Sequence, residues 1–195
     1  MSKDKQLWLI AGGNGAGKST FYEKKLKPKG LPFVNADIIA REYFPHAPEE
    51  NSITAAKIAE QMRYQLLSEG KSFCFETVFS HESKIDFIAA AKALNYVITL
   101  VFIHLDSAEL NMARVAQRVT LGGHSVPEEK ISARIPRTLE HIKNTIPLCD
   151  HVRLLDNSRV EIPFQRIANV DNGIVSVCKD PLPMWASRML GLKTR

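Results

Sequence analysis

Apolar runs alternate with amphipathic stretches along most of the chain. Gln6–Ala11 reads as a strand and Lys18–Leu26 as the helix after it. Leu31–Asn35 reads as a short second strand. From Glu49 to Leu67, apolar residues at Ile53, Ala56, Ile58, Ala59, Met62 and Leu66 follow helical spacing, and Gly70 is placed to cap that helix. Ser72–Val78 predicts a third strand, His81–Leu94 a helix and Tyr96–Leu105 a fourth strand. Ser107 can cap the next helix, which runs through Thr120 until Gly122-Gly123 stops it. Continuous apolar strands separated by helices imply a parallel sheet buried on both faces, hence an α/β three-layer architecture.

The pattern changes after Gly123. Ser125-Val126-Pro127-Glu128 has the form of a capping box, so a helix is expected to start there. Pro136 is expected to kink or break it near Ile135, because proline lacks the N–H and restricts the residue before it. A glycine pair on one side and a proline break on the other predict a movable helical lid over about residues 121–145. Val152–Leu155 reads as a strand. Phe164–Val170 and Ile174–Val177 read as a hairpin around Asp171-Asn172-Gly173, and Pro181–Leu192 as a short docking helix. Residues 1–195 are thus expected to form a single domain, with the hairpin and tail occupying about 160–195.

Composition changes this picture little. The 195 residues are 45% hydrophobic and 24% charged, the balance of an ordinary globular protein. A formal charge of +5 suits an anionic ligand such as a nucleotide, or nucleic acid. No dense Lys/Arg block with interleaved aromatics demands the latter. Three sparse cysteines suggest neither a disulfide framework nor a metal site, and a reducing cytoplasm is expected. Cys74, between Phe73 and Phe75, reads as a small buried hydrophobe. The apolar run Val97–Ile103 is too short to cross a bilayer as a helix, so no membrane partner is expected.

Chemistry enters at Gly12-Gly13-Asn14-Gly15-Ala16-Gly17-Lys18-Ser19, a full match to G-x-x-x-x-G-K-S/T with a strand before it and a helix after it. The glycines let successive backbone N–H groups face a phosphate, and the helix N-terminus adds its dipole. Lys18 is expected to reach the β- and γ-phosphates of ATP, and the Ser19 hydroxyl to ligate Mg²⁺, with Thr20 beside it. Such a loop does not say whether the nucleotide is used for transfer, hydrolysis or switching.

Two acids stand at strand ends, where parallel sheets bind their ligands. Asp37 follows the second strand and Glu76-Thr77 ends the third. Either acid could take a proton from an attacking hydroxyl or hold the acceptor. Alternatively, Asp37 caps the following helix and Glu76 is a Walker B-like magnesium acid. Asp106 competes for that last role, although a helix-start role suits it better. Arg114 and Arg118 are four apart on one helix, and Arg134 and Arg137 lie in the lid region. Of these, Arg118 and Arg134 are the candidates for neutralising the transferred phosphoryl group. His124, beside the glycine pair, could contact substrate or serve only the turn.

Ala11–Thr20, Asn35-Ala36-Asp37, Phe75-Glu76-Thr77 and the stretch Arg118…Gly122-Gly123-His124…Pro127…Arg134 together resemble the zeta-toxin family of P-loop kinases, in particular its small bacterial branch labelled predicted ABC-type ATPase. The resemblance spans roughly residues 6 to 157. It implies MgATP-dependent phosphorylation of a small molecule, UDP-N-acetylglucosamine for the best-known members, and an antitoxin protein as partner. It also implies that Asp37 activates the acceptor hydroxyl, that Glu76, Thr77 and His124 belong to the acceptor side, and that Arg118 and Arg134 bind the triphosphate. The chain departs from the larger toxins in having Glu76-Thr77-Val78 where they tend to have Glu-Gly-Thr, a difference that falls on the acceptor side.

The resulting expectation is a cytoplasmic ATP-dependent kinase acting on an alcohol hydroxyl, with a UDP-sugar as the first acceptor to consider. A nucleotide or nucleic-acid 5′-end kinase is the alternative enzyme. A switch or mechanical ATPase is the alternative class, although no Leu-Ser-Gly-Gly-Gln-like segment is present. Lys18→Ala is expected to abolish phosphoryl transfer while the fold survives. Unchanged turnover in the purified variant would remove the loop from the reaction.

Overall fold

The computed structural model describes residues 4–123 and 125–192. It has a seven-stranded sheet: β1 (Gln6–Gly12), β2 (Phe33–Val34), β3 (Phe73–Thr77), β4 (Val97–His104), β5 (His151–Asp156), β6 (Gln165–Asp171) and β7 (Ile174–Val177). The spatial order is β2-β3-β1-β4-β5-β6-β7. The first five strands are parallel, and β6 and β7 add an antiparallel edge. The α/β three-layer fold and the terminal hairpin expected from the sequence are both found.

Alternation along the strands divides the core. Leu7, Leu9, Phe73, Phe75, Ile98, Leu100, Phe102, Val152 and Leu154 face one side. They bury against α2 (Ala36–Tyr43), α3 (Ser52–Ser68), α4 (Ser83–Ala93), α6 (Glu128–Thr145) and α7 (Met184–Leu190). Ile10, Cys74, Val101, Ile103 and Leu155 face the other side, in a smaller cluster with residues of α1 (Lys18–Phe21), the turns after it and α5 (Ala108–Thr120). Cys74 is fully buried, and burial pushes its thiol far above the usual range, as befits an inert packing residue.

Several local expectations hold in detail. Gly70 adopts φ 66° past the end of α3, and Lys71 N–H bonds back to the Leu66 carbonyl. Ser107 Oγ accepts from Leu110 N–H and caps α5. The helix after the phosphate loop departs from regularity: four α-helical residues pass into a π-helical turn at Tyr22–Leu26 and a 3-10 turn at Lys27–Lys29. Asp37 does not cap α2. The cap is Asn35, whose Oδ1 accepts from Asp37 and Ile38 N–H at 2.8 and 3.2 Å.

Two expectations about the lid segment fail. The capping box does not form: α6 begins at Glu128 after Pro127, with no side-chain cap, and Ser125 N–H instead donates to Glu49 Oε1 at 3.0 Å. Nor does Pro136 break the helix, which runs unbroken from Glu128 to Thr145. The reason is tertiary. Ile131, Thr138, Ile142 and Thr145 are buried along one face spanning the proline. Thr138 Oγ1 donates to the Val78 carbonyl at 2.9 Å, and His141 Nδ1 lies 3.2 Å from the Phe79 carbonyl. Packing on both sides outweighs the cost of an interior proline, its missing hydrogen bond together with the clash of its ring, about 3 kcal/mol.

Pro136 itself is exposed. Pro136→Ala therefore creates no cavity and restores a helical N–H. It is expected to stabilise the protein by about 1 kcal/mol or more, read as a higher melting temperature, because the helical penalty exceeds the unfolded-state entropy that proline removes. A lower melting temperature would show that the proline geometry is part of how α6 seats.

Candidate active site

The site is built at the carboxyl ends of the parallel strands. Because β1 lies between β3 and β4, the chain leaving β1 opens into the crevice where the connections diverge. There the chain curls through Gly13–Gly17 between β1 and α1, whose first residues are Lys18 and Ser19. Two glycines show why no other residue fits. A Cβ on Gly12 would lie 2.4 Å from the Ile103 carbonyl oxygen, and one on Gly17, at φ 92°, 2.6 Å from Asn157 Nδ2.

Two asparagines brace this loop from distant parts of the chain. Asn111 on α5 donates through Nδ2 to the Asn14 carbonyl. Asn157, just past β5 and 7% exposed, donates to the Ala16 carbonyl at 2.9 Å and accepts from Phe164 N–H at 3.1 Å. Arg114 Nη2 in turn donates to the Asn157 carbonyl at 2.8 Å. Neither asparagine was among the sequence candidates. Asn157 carried a usable signal, a polar residue directly after a buried strand; Asn111, in the first turn of α5, carried none.

Lys18 is 7% exposed, and its Nζ donates to the Gly13 carbonyl at 3.0 Å. Glu76 Oε1 stands 3.9 Å from that ammonium. Glu76 Oε2 accepts from Ser19 Oγ at 2.9 Å and from Asn35 Nδ2 at 3.1 Å. Burial lowers the Lys18 pKa from its ordinary value; Glu76 and then Asp37 oppose this, while Arg118 and Arg134 add to it. An ammonium held in that field gains from an anion with several negative charges, as a triphosphate has.

Lys18, Asn35, Asp37, Glu76, Thr77, Arg118 and Arg134 all line one cavity of about 570 Å³. Asn14 lines it as well, and its Oδ1 is 3.4 Å from Arg134 Nη1. Thr77 Oγ1 is engaged locally, accepting from Phe79 N–H at 3.1 Å. Thr20 is exposed beside Ser19. Arg114 and Arg137 do not line the cavity: the first holds Asn157, and the second bonds the Ala133 carbonyl of its own helix. Asp106 is exposed away from it, its N–H bonded to Ser158 Oγ. His124 lies outside the described residues. Gly123 packs tightly on α5: its N–H bonds the Arg118 carbonyl, and an added Cβ would lie 2.5 Å from Arg118 Cγ.

The paired oxygens of Ser19 and Glu76 are hard donors suited to Mg²⁺, which takes few protein ligands and completes its shell with water and phosphate oxygens. Among the described residues, no group of three or more His, Cys, Asp or Glu side chains able to hold a metal occurs. Glu76 thus lies against the phosphate-loop side chains. A Walker B-like role and a place on the acceptor side both remain open to it, since it also lines the cavity beside Asp37.

Fold and loop together define a P-loop nucleotide-binding protein of the three-layer α/β type. The family model of the zeta toxins matches residues 1–163, and the chain belongs to that family. An uncharacterised protein of Haemophilus influenzae is 28% identical over 138 residues, covering 67% of this chain and 97% of its own length. Among solved structures, AvrRxo1-ORF1:AvrRxo1-ORF2 with sulphate ions is similar at a TM-score of 0.74 and 20% identity, over 97% of this chain. The chain spans 64% of that longer protein. The PezAT chromosomal toxin–antitoxin system of Streptococcus pneumoniae is similar at a TM-score of 0.65 and 14% identity, over 97% of this chain and 84% of the other. At these identities the structures share the fold.

Asn157→Leu removes the donor to the Ala16 carbonyl and the acceptor for Phe164 N–H, leaving both backbone groups to find water. A loss of about 1–3 kcal/mol of stability is expected, with a weaker affinity for ATP, because the brace and the loop are one unit. Calorimetric binding on the folded variant reads the second effect. Full ATP affinity would show that the loop holds its shape without Asn157.

Proposed function

We propose that this protein is a cytoplasmic kinase that transfers the γ-phosphoryl group of MgATP to a hydroxyl of a small molecule. The observation that carries this reading is that the phosphate-loop lysine shares one cavity with a strand-end acid and two arginines, one from α5 and one from α6. An NTP switch needs no acceptor space beyond the phosphates; here the cavity continues from Lys18 past Asp37 toward α3 and α4.

In this scheme the triphosphate lies along Gly12–Thr20, with Lys18 following the β- and γ-phosphates. Mg²⁺, when bound through Ser19 with Glu76 alongside, supplies charge neutralisation between the phosphates. The acceptor hydroxyl oxygen attacks the γ-phosphorus, the bond to the β,γ-bridging oxygen breaks, ADP leaves, and the hydroxyl proton passes to the Asp37 carboxylate. Arg118 and Arg134 balance the charge on the moving phosphoryl group. Residues 121–145 would act as the lid that brings Arg134 in. The Gly123 contact means that even an alanine there would push on Arg118, so an altered rate in such a variant would report that arginine before any hinge.

Family membership makes a nucleotide sugar, UDP-N-acetylglucosamine first, the acceptor to test. It also suggests an antitoxin: PezAT is described as a toxin–antitoxin system. An AvrRxo1-ORF1:ORF2 structure with ATP supports the nucleotide choice.

Asp37→Asn keeps shape and hydrogen-bonding reach but loses basicity. If Asp37 takes the proton, transfer is expected to fall roughly a hundredfold or more, with MgATP affinity near that of the parent. Because Asn35 is the helix cap, the melting temperature should hardly move. A rate loss matched by a loss of MgATP affinity would make Asp37 a metal-side residue, and near-parental transfer would remove it from the mechanism.

A further inference from the structure

Away from the phosphate loop, the α3 and α4 walls of the same cavity carry two cations that the transfer scheme does not use. Arg63, on the inner face of α3, is only 5% exposed. Its guanidinium lies over the rings of Phe75 and Phe87, 5.2 and 5.6 Å from their centroids. Its Nε is buried with no hydrogen-bond partner, and Nη2 reaches no nearer than 4.0 Å to Glu60 Oε1. Lys84, near the start of α4, has a side chain 19% exposed. Its Nζ donates to Ser83 Oγ at 3.2 Å and stands 4.0 Å from that same Glu60 oxygen. Two largely buried cations thus share one distant carboxylate, and both line the cavity.

Packing alone does not account for this. A guanidinium has five N–H donors in a planar fork, and a buried charge short of partners is costly. The two phenylalanine rings offset part of that cost through their faces but accept no hydrogen bond from Nε. An apolar side chain of the same length would fill the gap between the rings without penalty. The fork suits a carboxylate or phosphate, and the neighbouring ammonium adds a second positive charge on the same wall.

We infer that Arg63 and Lys84 form an anion site on the acceptor side of the cavity: the molecule phosphorylated carries a phosphate or carboxylate group seated on them, while its hydroxyl lies toward Asp37. This deepens, and for the word acceptor rests on, the kinase reading. A neutral alcohol would leave Arg63 unsatisfied; an anionic one gives its donors a partner and fixes the distance between the anion and the reacting hydroxyl.

The anion site is tested without any reaction. Orthophosphate, and separately acetate, is titrated calorimetrically into protein held with saturating magnesium and a non-hydrolysable ATP analogue, so that the phosphate loop is already filled. At least one anion is expected to bind. Arg63→Met is expected to weaken binding by about tenfold or more and Lys84→Met by severalfold, with Arg63→Lys retaining part of it. Lys84 lies at the rim, so Lys84→Met keeps the test available if Arg63→Met does not fold. Preference for orthophosphate names a phosphorylated acceptor, and preference for acetate a carboxylic one. No binding of either anion, or binding undiminished in both methionine variants, overturns the site. In a second arm, γ-labelled ATP is supplied with a bacterial metabolite extract split by anion exchange into anionic and neutral pools. Label is expected in the anionic pool, with a raised KM for that acceptor in Lys84→Met. Label on a neutral compound overturns the acceptor assignment and leaves the kinase reading intact. No label in either pool, with anion binding retained, overturns the kinase reading and leaves the anion site standing.

Discussion

The structure depends on a loop that must present its backbone N–H groups inward to a phosphate while its carbonyls are held from behind. Eight residues cannot do this alone. Glycines admit the close approach of the Ile103 carbonyl and Asn157, and the outward carbonyls of Asn14 and Ala16 need donors that do not compete with the ligand. Asn111 and Asn157 supply them from α5 and the end of β5. The sheet order follows from the same need: β4 beside β1, and β5 beside β4, bring the braces to the loop from one side. β3 on the other side brings Glu76 to Ser19 and Lys18.

Glu76 links the two halves of the site. Its carboxylate touches the phosphate-loop serine and lysine and also Asn35, whose other amide atom caps α2. The residue that starts α2, and so fixes Asp37 in its first turn, is thereby tied to the residue that contacts Ser19 and Lys18. A shift of Glu76 on nucleotide binding would be felt at Asp37 through one side chain. This coupling costs little, because the asparagine amide offers a donor and an acceptor on opposite sides.

How much of this was legible follows from range. The phosphate loop was readable because its chemistry is local: eight adjacent residues between a strand and a helix. Asp37 and Glu76 were readable as strand-end acids, since parallel strands deliver their carboxyl ends to one edge. The resemblance singles out Arg118 and Arg134 from Arg114 and Arg137, which helical spacing alone does not, and the structure divides them the same way at the cavity wall. The asparagine braces were not readable, because each contact spans about a hundred residues or more. Pro136 was misread for the converse reason: a local rule predicted a break, and burial of Ile131, Thr138 and Ile142 along one face overrode it. Ser125 and Glu128 matched a capping box in spacing alone, while Ser125 N–H found Glu49 instead.

Charge along the cavity gives the arrangement its direction. Lys18, Arg118 and Arg134 stand at the phosphate-loop end, Arg63 and Lys84 on the wall formed by α3 and α4, and the carboxylates of Asp37 and Glu76 line the space they share. Glu76 is already engaged by Ser19, Lys18 and Asn35. Asp37, exposed to the cavity, has no such bond to the phosphate loop, and Glu49, the other carboxylate on the lining, accepts from Ser125 N–H. A cavity with cations at both ends disfavours an acceptor that is itself a cation, and it holds two anionic groups apart by fixing each to its own end. The repulsion between a triphosphate and an anionic acceptor, which slows their meeting in water, is then met by protein charges already in position before either ligand arrives. Preorganisation of this kind also explains why buried cations are kept in a helix-covered core, where apolar side chains would pack more favourably: their cost falls on the empty protein and is relieved when the ligands bind.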